Sequence, residues 1–277
     1  MLDRFLIDKH VKSALEEDIG FGDITTDCIA KTDDVIRAEL NTRTSGVICG
    51  LDVFERVFRI LSDDIEIVFY FKDGDLINKG DKIADIKGSA SAILKGERTA
   101  LNYIQRMSGI ATETKKYADA IGTEYKAKIS DTRKTTPNFR LFEKYAVFTG
   151  GACVHRFNLS DCVMIKDNHI KLAGSLTNAV NMVKKYLSHT HKIEVECDTL
   201  NQVKEAIEVG VDIILLDNMT LEEMITAVDI INGKAIIEAS GNVNLSTVKD
   251  IASTGVDIIS SSAIVAKAPT LDLALDM

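Results

Sequence analysis

From residue 125 onward, short continuous apolar runs alternate with amphipathic stretches. The runs at 127–130, 163–165, 192–196, 212–216, 235–238 and 257–260 predict strands. Their unbroken apolar character fits a parallel sheet covered by helices. The stretches at 140–148, 176–186, 200–209, 221–231 and 246–254 predict the helices between them. From Lys192 the repeat is about 21 residues, the length of one strand–helix unit. Residues 1–109 have a different texture. Strands are predicted over 35–42, 47–50 and 65–71, and a helix over 52–61. Residues 73–88 alternate apolar and polar between glycine turns, a β-rich pattern. A long amphipathic helix is predicted over 91–107, with Gly109 expected to interrupt or end it.

The strand ends separate two α/β architectures. Every predicted strand of the second half runs at once into polar residues: DTRK at 131–134, KDNH at 166–169, Glu196, Asp217 with Asn218, Ser240 with Gly241 and Asn242, and Ser260 with Ser261 and Ser262. In an α/β barrel the C-terminal strand ends converge on one mouth, whereas an open sheet concentrates its site at one switch point. Polar chemistry on so many strand ends favours the barrel. Neither of the two common nucleotide-loop motifs, GxGxxG or GxxxxGK[ST], is present.

The chain has 277 residues, 45% hydrophobic, enough for a sizeable core, and a formal net charge of -9. That acidity argues against non-specific nucleic-acid binding. The first ten residues are charged throughout and lack a signal-peptide core. Five irregularly spaced cysteines contain no CxxC pair, so neither a disulfide framework nor a zinc knuckle is indicated, and a reducing cytoplasm is expected. Against this acidic background, residues 126–171 hold nine Lys and Arg against four Asp and Glu. The cations sit among loop and strand-end residues rather than at helical spacing. A multiply anionic ligand explains that clustering better than a solvated face.

Arg133, Arg156 and Lys166 are suited to hold two carboxylates, with ion pairs to Glu143 or Asp167 as the structural alternative. Glu196 and Asp217 end successive strands and suit Mg²⁺, although Asp217 also reads as a helix cap. Ser240, Gly241 and Asn242, and likewise Ser261, Ser262 and Ala263, follow the last two strands, where exposed backbone N–H groups suit a phosphate. Ordinary helix caps look the same. His155 and His169 are candidate acid–base groups or hydrogen-bond donors, while His10, His189 and His191 read as surface residues.

The motifs GERTALN at 96–102, DTRKTTP at 131–137, EKYAV at 143–147, His155 with Arg156, IKDNH at 165–169, IEVE at 193–196 and LDN at 216–218 resemble the quinolinate phosphoribosyltransferase family, as do ALEEDIG at 14–20 and GDITT at 22–26. The resemblance spans nearly the whole chain in order. It implies an α/β fold, with an N-terminal α/β sandwich domain over 1–109, an incomplete α/β barrel of the type II phosphoribosyltransferase kind over 110–265, and a tail over 266–277 packing back on the first domain. It implies conversion of quinolinate and phosphoribosyl pyrophosphate to nicotinate mononucleotide, pyrophosphate and CO₂ with Mg²⁺, in NAD biosynthesis. By the same resemblance, Thr132, Arg133, His155, Arg156 and Lys166 bind quinolinate, joined by Arg98 from a neighbouring subunit of a homodimer or a hexamer of dimers. Lys134, Glu196 and Asp217, with Lys166, are the implied catalytic residues, Glu196 and Asp217 hold the metal, and the two small-residue loops hold the 5'-phosphate.

Three positions depart from the family pattern. Ala152 stands where a third Gly is common, Val154 where Asn often precedes His-Arg, and Asn242 where a second Gly is frequent. The charged positions are intact. Rival readings are a phosphoribosyltransferase for a monocarboxylate such as nicotinate, a Schiff-base lyase using Lys166, and a carrier-like module based on 73–88. A monocarboxylate needs fewer cations, and a carrier leaves most of the chain unexplained.

Overall fold

Alternation of exposed and buried positions makes Val35–Thr42 a strand, β1, in the computed structural model, which describes residues 2–277. β1 pairs antiparallel with β5 (Lys82–Ser89) and with β12 (Leu273–Asp276), and β5 pairs with β3 (Glu66–Phe69), giving the order β12-β1-β5-β3. A small ladder joins β2 (Gly46–Val47) to β4 (Leu76–Ile77), and Ile48 adds backbone hydrogen bonds to Asp75 and Gly74, so pairing in the predicted strand 47–50 lies in its first half. Helix α1 (Arg4–Ile19) buries Ile7, Val11 and Leu15, which recur every four residues on one face. The short α2 (Ile24–Ile29) follows, capped by the Asp23 carboxylate. Helix α3 (Leu51–Leu61) packs against α1 and buries Val53, Phe54, Val57 and Phe58. Its first amide groups, on Gly50 and Leu51, donate to the Asp73 carboxylate at 2.9 and 3.1 Å.

Helix α4 (Ala90–Ile121) runs through Gly109 instead of stopping there. A Cβ on Gly109 would lie 1.9 Å from the Pro269 carbonyl oxygen. The glycine therefore serves close backbone approach and not helix termination. Residues 140–148, read from the sequence with the barrel, form α5 (Arg140–Thr149) and belong to this first unit. The reason is its partners. Phe139 and Phe142 cluster with Tyr103 and His10, Glu143 pairs with Arg106 at 3.0 Å, and the Tyr145 hydroxyl donates to Asp73. His10 is thus no plain surface residue. Its Nε2 donates to the Asn138 carbonyl at 2.6 Å, which leaves Nδ1 to accept from the Tyr103 hydroxyl at 2.8 Å. In all, the first unit comprises the chain up to Lys115, residues 137–151 and residues from Ala268 on.

The second unit comprises residues 116–136 and 152–267. Its strands are β6 (Lys128–Ser130), β7 (Val163–Ile165), β8 (Ile193–Cys197), β9 (Ile213–Asp217), β10 (Ile236–Ser240) and β11 (Ile258–Ser260). They form one parallel sheet in the order β6-β11-β10-β9-β8-β7. Helices α6 (Asp167–Ala173), α7 (Leu176–Lys184), α8 (Leu200–Glu208), α9 (Leu221–Ile231), α10 (Val248–Ser253) and α11 (Ala263–Ala266) follow their strands. α6 and α11 were not foreseen, because each is too short to show a period. Among the described residues no pairing joins β6 to β7, so the ring is incomplete. It is nonetheless curled. Cys153 bridges to Ser130 beside β6, yet His155, two residues on, reaches side chains of β8 and β10.

Candidate active site

Parallel pairing puts the C-terminal ends of all six barrel strands on one side, and Lys166, Glu196, Asp217 and the two small-residue loops follow those ends. β6 runs into Asp131, which is fully buried and accepts the His155 backbone N–H at 2.8 Å. Beyond it, the Thr132 hydroxyl accepts the Lys134 N–H at 3.0 Å, a turn that fixes the backbone carrying Arg133 and Lys134. Both cations are exposed and carry no ion pair among the described residues.

Arg156 is half-buried. One guanidinium nitrogen donates to the Cys162 carbonyl at 2.8 Å, and the other lies 3.6 Å from the Met164 sulfur. Lys166 follows β7, and its ammonium pairs with the Glu196 carboxylate at the end of β8. One cation suited to a substrate carboxylate and one acid suited to a metal are thus partners. Asp217, on the adjacent β9, accepts from the Asn218 side-chain amide at 2.8 Å. Asn218 in turn accepts from Asn242 at 3.3 Å, tying the acid to the loop after β10. Asn218, Gly241 and Asn242 all have positive φ, at 56°, 99° and 52°. A Cβ on Gly241 would lie 2.2 Å from the Asn218 side-chain oxygen, so only glycine fits between them.

Ser240 ends β10, and Ser261, Ser262 and Ala263 follow β11, its neighbour in the sheet, so the two small-residue loops are adjacent. The Ser261 hydroxyl is engaged by the Val243 carbonyl and the Ala263 N–H. Arg98 is exposed on α4 of the first unit. His169 is exposed, and its Nδ1 accepts the Lys166 N–H at 3.0 Å, which caps α6 and gives it a structural task.

His155 is where the sequence reading was least complete. Its Nε2 faces two buried carboxylates, Glu194 Oε2 at 3.5 Å and Glu238 Oε1 at 3.4 Å. Burial pushes the imidazole pKa down, while the two carboxylates push it up. Burial pushes Glu194 up, while His155 pulls it down. The Arg156 amide acts against double protonation of the ring. Its N–H donates to His155 Nδ1 at 2.7 Å, so a second ring proton would meet another donor. Neither glutamate was a sequence candidate. The available signal was a buried acid within each strand, Glu194 in IEVEC of β8 beside the strand-end Glu196, and Glu238 in IIEAS of β10.

Family models place this chain with known proteins. Residues 23–108 match the N-terminal domain of quinolinate phosphoribosyl transferase, and residues 110–276 match its C-terminal domain. A probable nicotinate-nucleotide pyrophosphorylase (carboxylating) of Synechocystis sp. is 43% identical over 275 residues, covering 98% of this chain and 92% of its own. Its counterpart in Bacillus subtilis is 39% identical, covering 94% and 90%. The crystal structure of NadC from Streptococcus pyogenes superposes with a TM-score of 0.96 at 41% identity, covering 100% of this chain and 98% of its own.

Proposed function

The chain belongs to the quinolinate phosphoribosyltransferase family, and on that premise we propose how its own residues carry out the family's reaction. The reaction transfers the phosphoribosyl group of phosphoribosyl pyrophosphate to the quinolinate nitrogen, with decarboxylation, giving nicotinate mononucleotide, pyrophosphate and CO₂ in NAD biosynthesis. The observation that carries the assignment of roles is the gathering of Lys166, Glu196 and Asp217 at the C-terminal ends of three successive strands of one sheet, with the Lys166–Glu196 pair already formed.

Quinolinate carries two carboxylates. Arg156, Arg133 and Lys166 are the cations for them, with Thr132 shaping the turn and Arg98 expected from the neighbouring subunit. The pyridine nitrogen attacks the anomeric carbon of the ribose as the bond to pyrophosphate breaks. Charge develops on the departing pyrophosphate, and the exposed Lys134 ammonium is the chain's own group to meet it. The alkylated nitrogen is cationic. It accepts the electron pair left at C2 when CO₂ departs, and C2 then takes up a proton. Ser240, Gly241, Asn242, Ser261, Ser262 and Ala263 are assigned to the 5'-phosphate on the adjacency of their loops. The acids fit Mg²⁺. Glu196 and Asp217 are hard oxygen donors on adjacent, partly exposed strand ends. Bound there, Mg²⁺ would neutralise phosphate charge. Five free cysteines accord with a reducing cytoplasm, and among the described residues no helix is long and apolar enough to cross a membrane.

The direct test is formation of nicotinate mononucleotide and CO₂ from quinolinate, phosphoribosyl pyrophosphate and Mg²⁺. Nicotinate lacks one carboxylate and should react with kcat/KM at least roughly tenfold lower, the effect of one lost charge-assisted contact. Turnover should vanish with EDTA and return with Mg²⁺. Equal use of the two acids, or full turnover without metal, would refute the assigned roles.

Sharing of Arg98 between subunits has its own test. Arg98→Ala and Lys166→Ala should each be folded and nearly inactive. After subunit exchange, half of the dimers are mixed, and each mixed dimer regenerates one intact site. Activity should recover to about a quarter of wild type. A mixture that exchanges, by mass, but stays inactive places Arg98 at its own chain's site.

A further inference from the structure

Apart from His155, the buried carboxylates of Glu194 and Glu238 touch none of the groups assigned above to substrate or metal, and the reaction as described gives them no role. Glu194 is 1% exposed, and neither of its oxygens has a hydrogen-bond partner apart from the His155 contact at 3.5 Å. Such a group is costly, so its retention needs a reason. A cation held by His155, Glu194 and Glu238 is one possibility, since their ligand atoms lie within 4.8 Å of one another. The ring argues against it. His155 Nδ1 accepts the Arg156 N–H, so the neutral imidazole carries its proton on Nε2 and has no lone pair for a metal there. That proton points between the two glutamates instead.

The contacts form a continuous line. The Ser260 hydroxyl on β11 donates to Glu238 on β10. Glu238 Oε1 and Glu194 Oε2, the latter on β8, lie 3.4 and 3.5 Å from His155 Nε2. His155 Nδ1 holds the backbone N–H of Arg156, and Asp131 holds the backbone N–H of His155 itself. Three strands therefore fix the main chain from which the Arg156 guanidinium departs.

We propose that Glu194 and Glu238 are positioning residues that act through His155 to orient Arg156, and that they set affinity for the dicarboxylate and not for the phosphoribosyl donor. The proposal rests on the assignment of Arg156 to quinolinate. It gives His155 a supporting role, because its Nδ1 accepts the Arg156 N–H.

Steady-state kinetics at a saturating second substrate separate the two effects. Glu238→Leu keeps volume but removes the acceptor. It should raise the quinolinate KM about tenfold or more, while the phosphoribosyl pyrophosphate KM stays within about twofold. Glu238→Gln retains an acceptor oxygen and should raise the quinolinate KM only about threefold. Glu194→Leu and Glu194→Gln should follow the same order. If the leucine variants do not fold, His155→Phe keeps ring volume, removes both nitrogens and should show the same selective rise. Both KM values rising together, or Gln as damaging as Leu, would overturn the proposal. Failure of the wild-type protein to turn over quinolinate would instead sink the underlying assignment.

Discussion

Arg156→Ala is expected to lower kcat/KM for quinolinate by about 100-fold, most of it in KM. Truncating one partner of a hydrogen-bonded charge pair costs about 2–5 kcal/mol, and about 2.7 kcal/mol corresponds to that factor. The effect is large because the guanidinium is held in advance by the Cys162 carbonyl and the Met164 sulfur, so little ordering remains when substrate arrives. Arg156→Lys should recover part of the loss only, since an ammonium offers no planar fork to a carboxylate. The KM for phosphoribosyl pyrophosphate should move little. An alanine variant with wild-type kcat/KM would remove Arg156 from the binding site altogether.

Gly109→Val is expected to be the most damaging single change to stability. The nearest atom to an added Cβ is a backbone oxygen 1.9 Å away, so relief requires movement of the segment at Pro269 and Thr270, and not a side-chain rotation. Overpacking of this kind costs about 3 kcal/mol or more. At about 2–4 °C per kcal/mol for a chain of this size, the apparent Tm should fall by roughly 6–12 °C. Differential scanning calorimetry of the two proteins measures it. A shift of less than about 2 °C would show that the 268–277 segment yields freely.

The barrel was legible because its signals are local. Each apolar run needs only its own residues to read as a strand, and β7 and α9 appear at the predicted bounds, 163–165 and 221–231. The strand-end acids and cations were legible for the same reason, since position at a strand end is a one-dimensional property. What was missed depends on distant partners. Gly109 reads as a helix stop until Pro269 is seen against it. Helix α5 has the period of a barrel helix, and only Tyr103, His10, Arg106 and Asp73 show that it belongs to the first unit. His10 looked like a surface residue because the aromatic rings beside it come from two remote segments. Glu194 and Glu238 break the apolar run by one residue each, and no spacing rule pairs acids 44 positions apart with a histidine outside their strands.

The division of the chain bears on how the protein is made. The first unit is assembled from three separate stretches, the last of which begins at Ala268. On the ribosome, β1 emerges well over 200 residues before its neighbour β12. Until then one edge of the antiparallel sheet has unpaired N–H and C=O groups, open to another nascent chain. The second unit is likewise interrupted by residues 137–151. Neither unit can complete its core from one continuous piece of polypeptide. Long-range closures of this kind slow folding and lengthen the period of exposure. Loss of β12 therefore removes a strand from the sheet that was begun first, and demand for chaperones should persist until β12 has emerged.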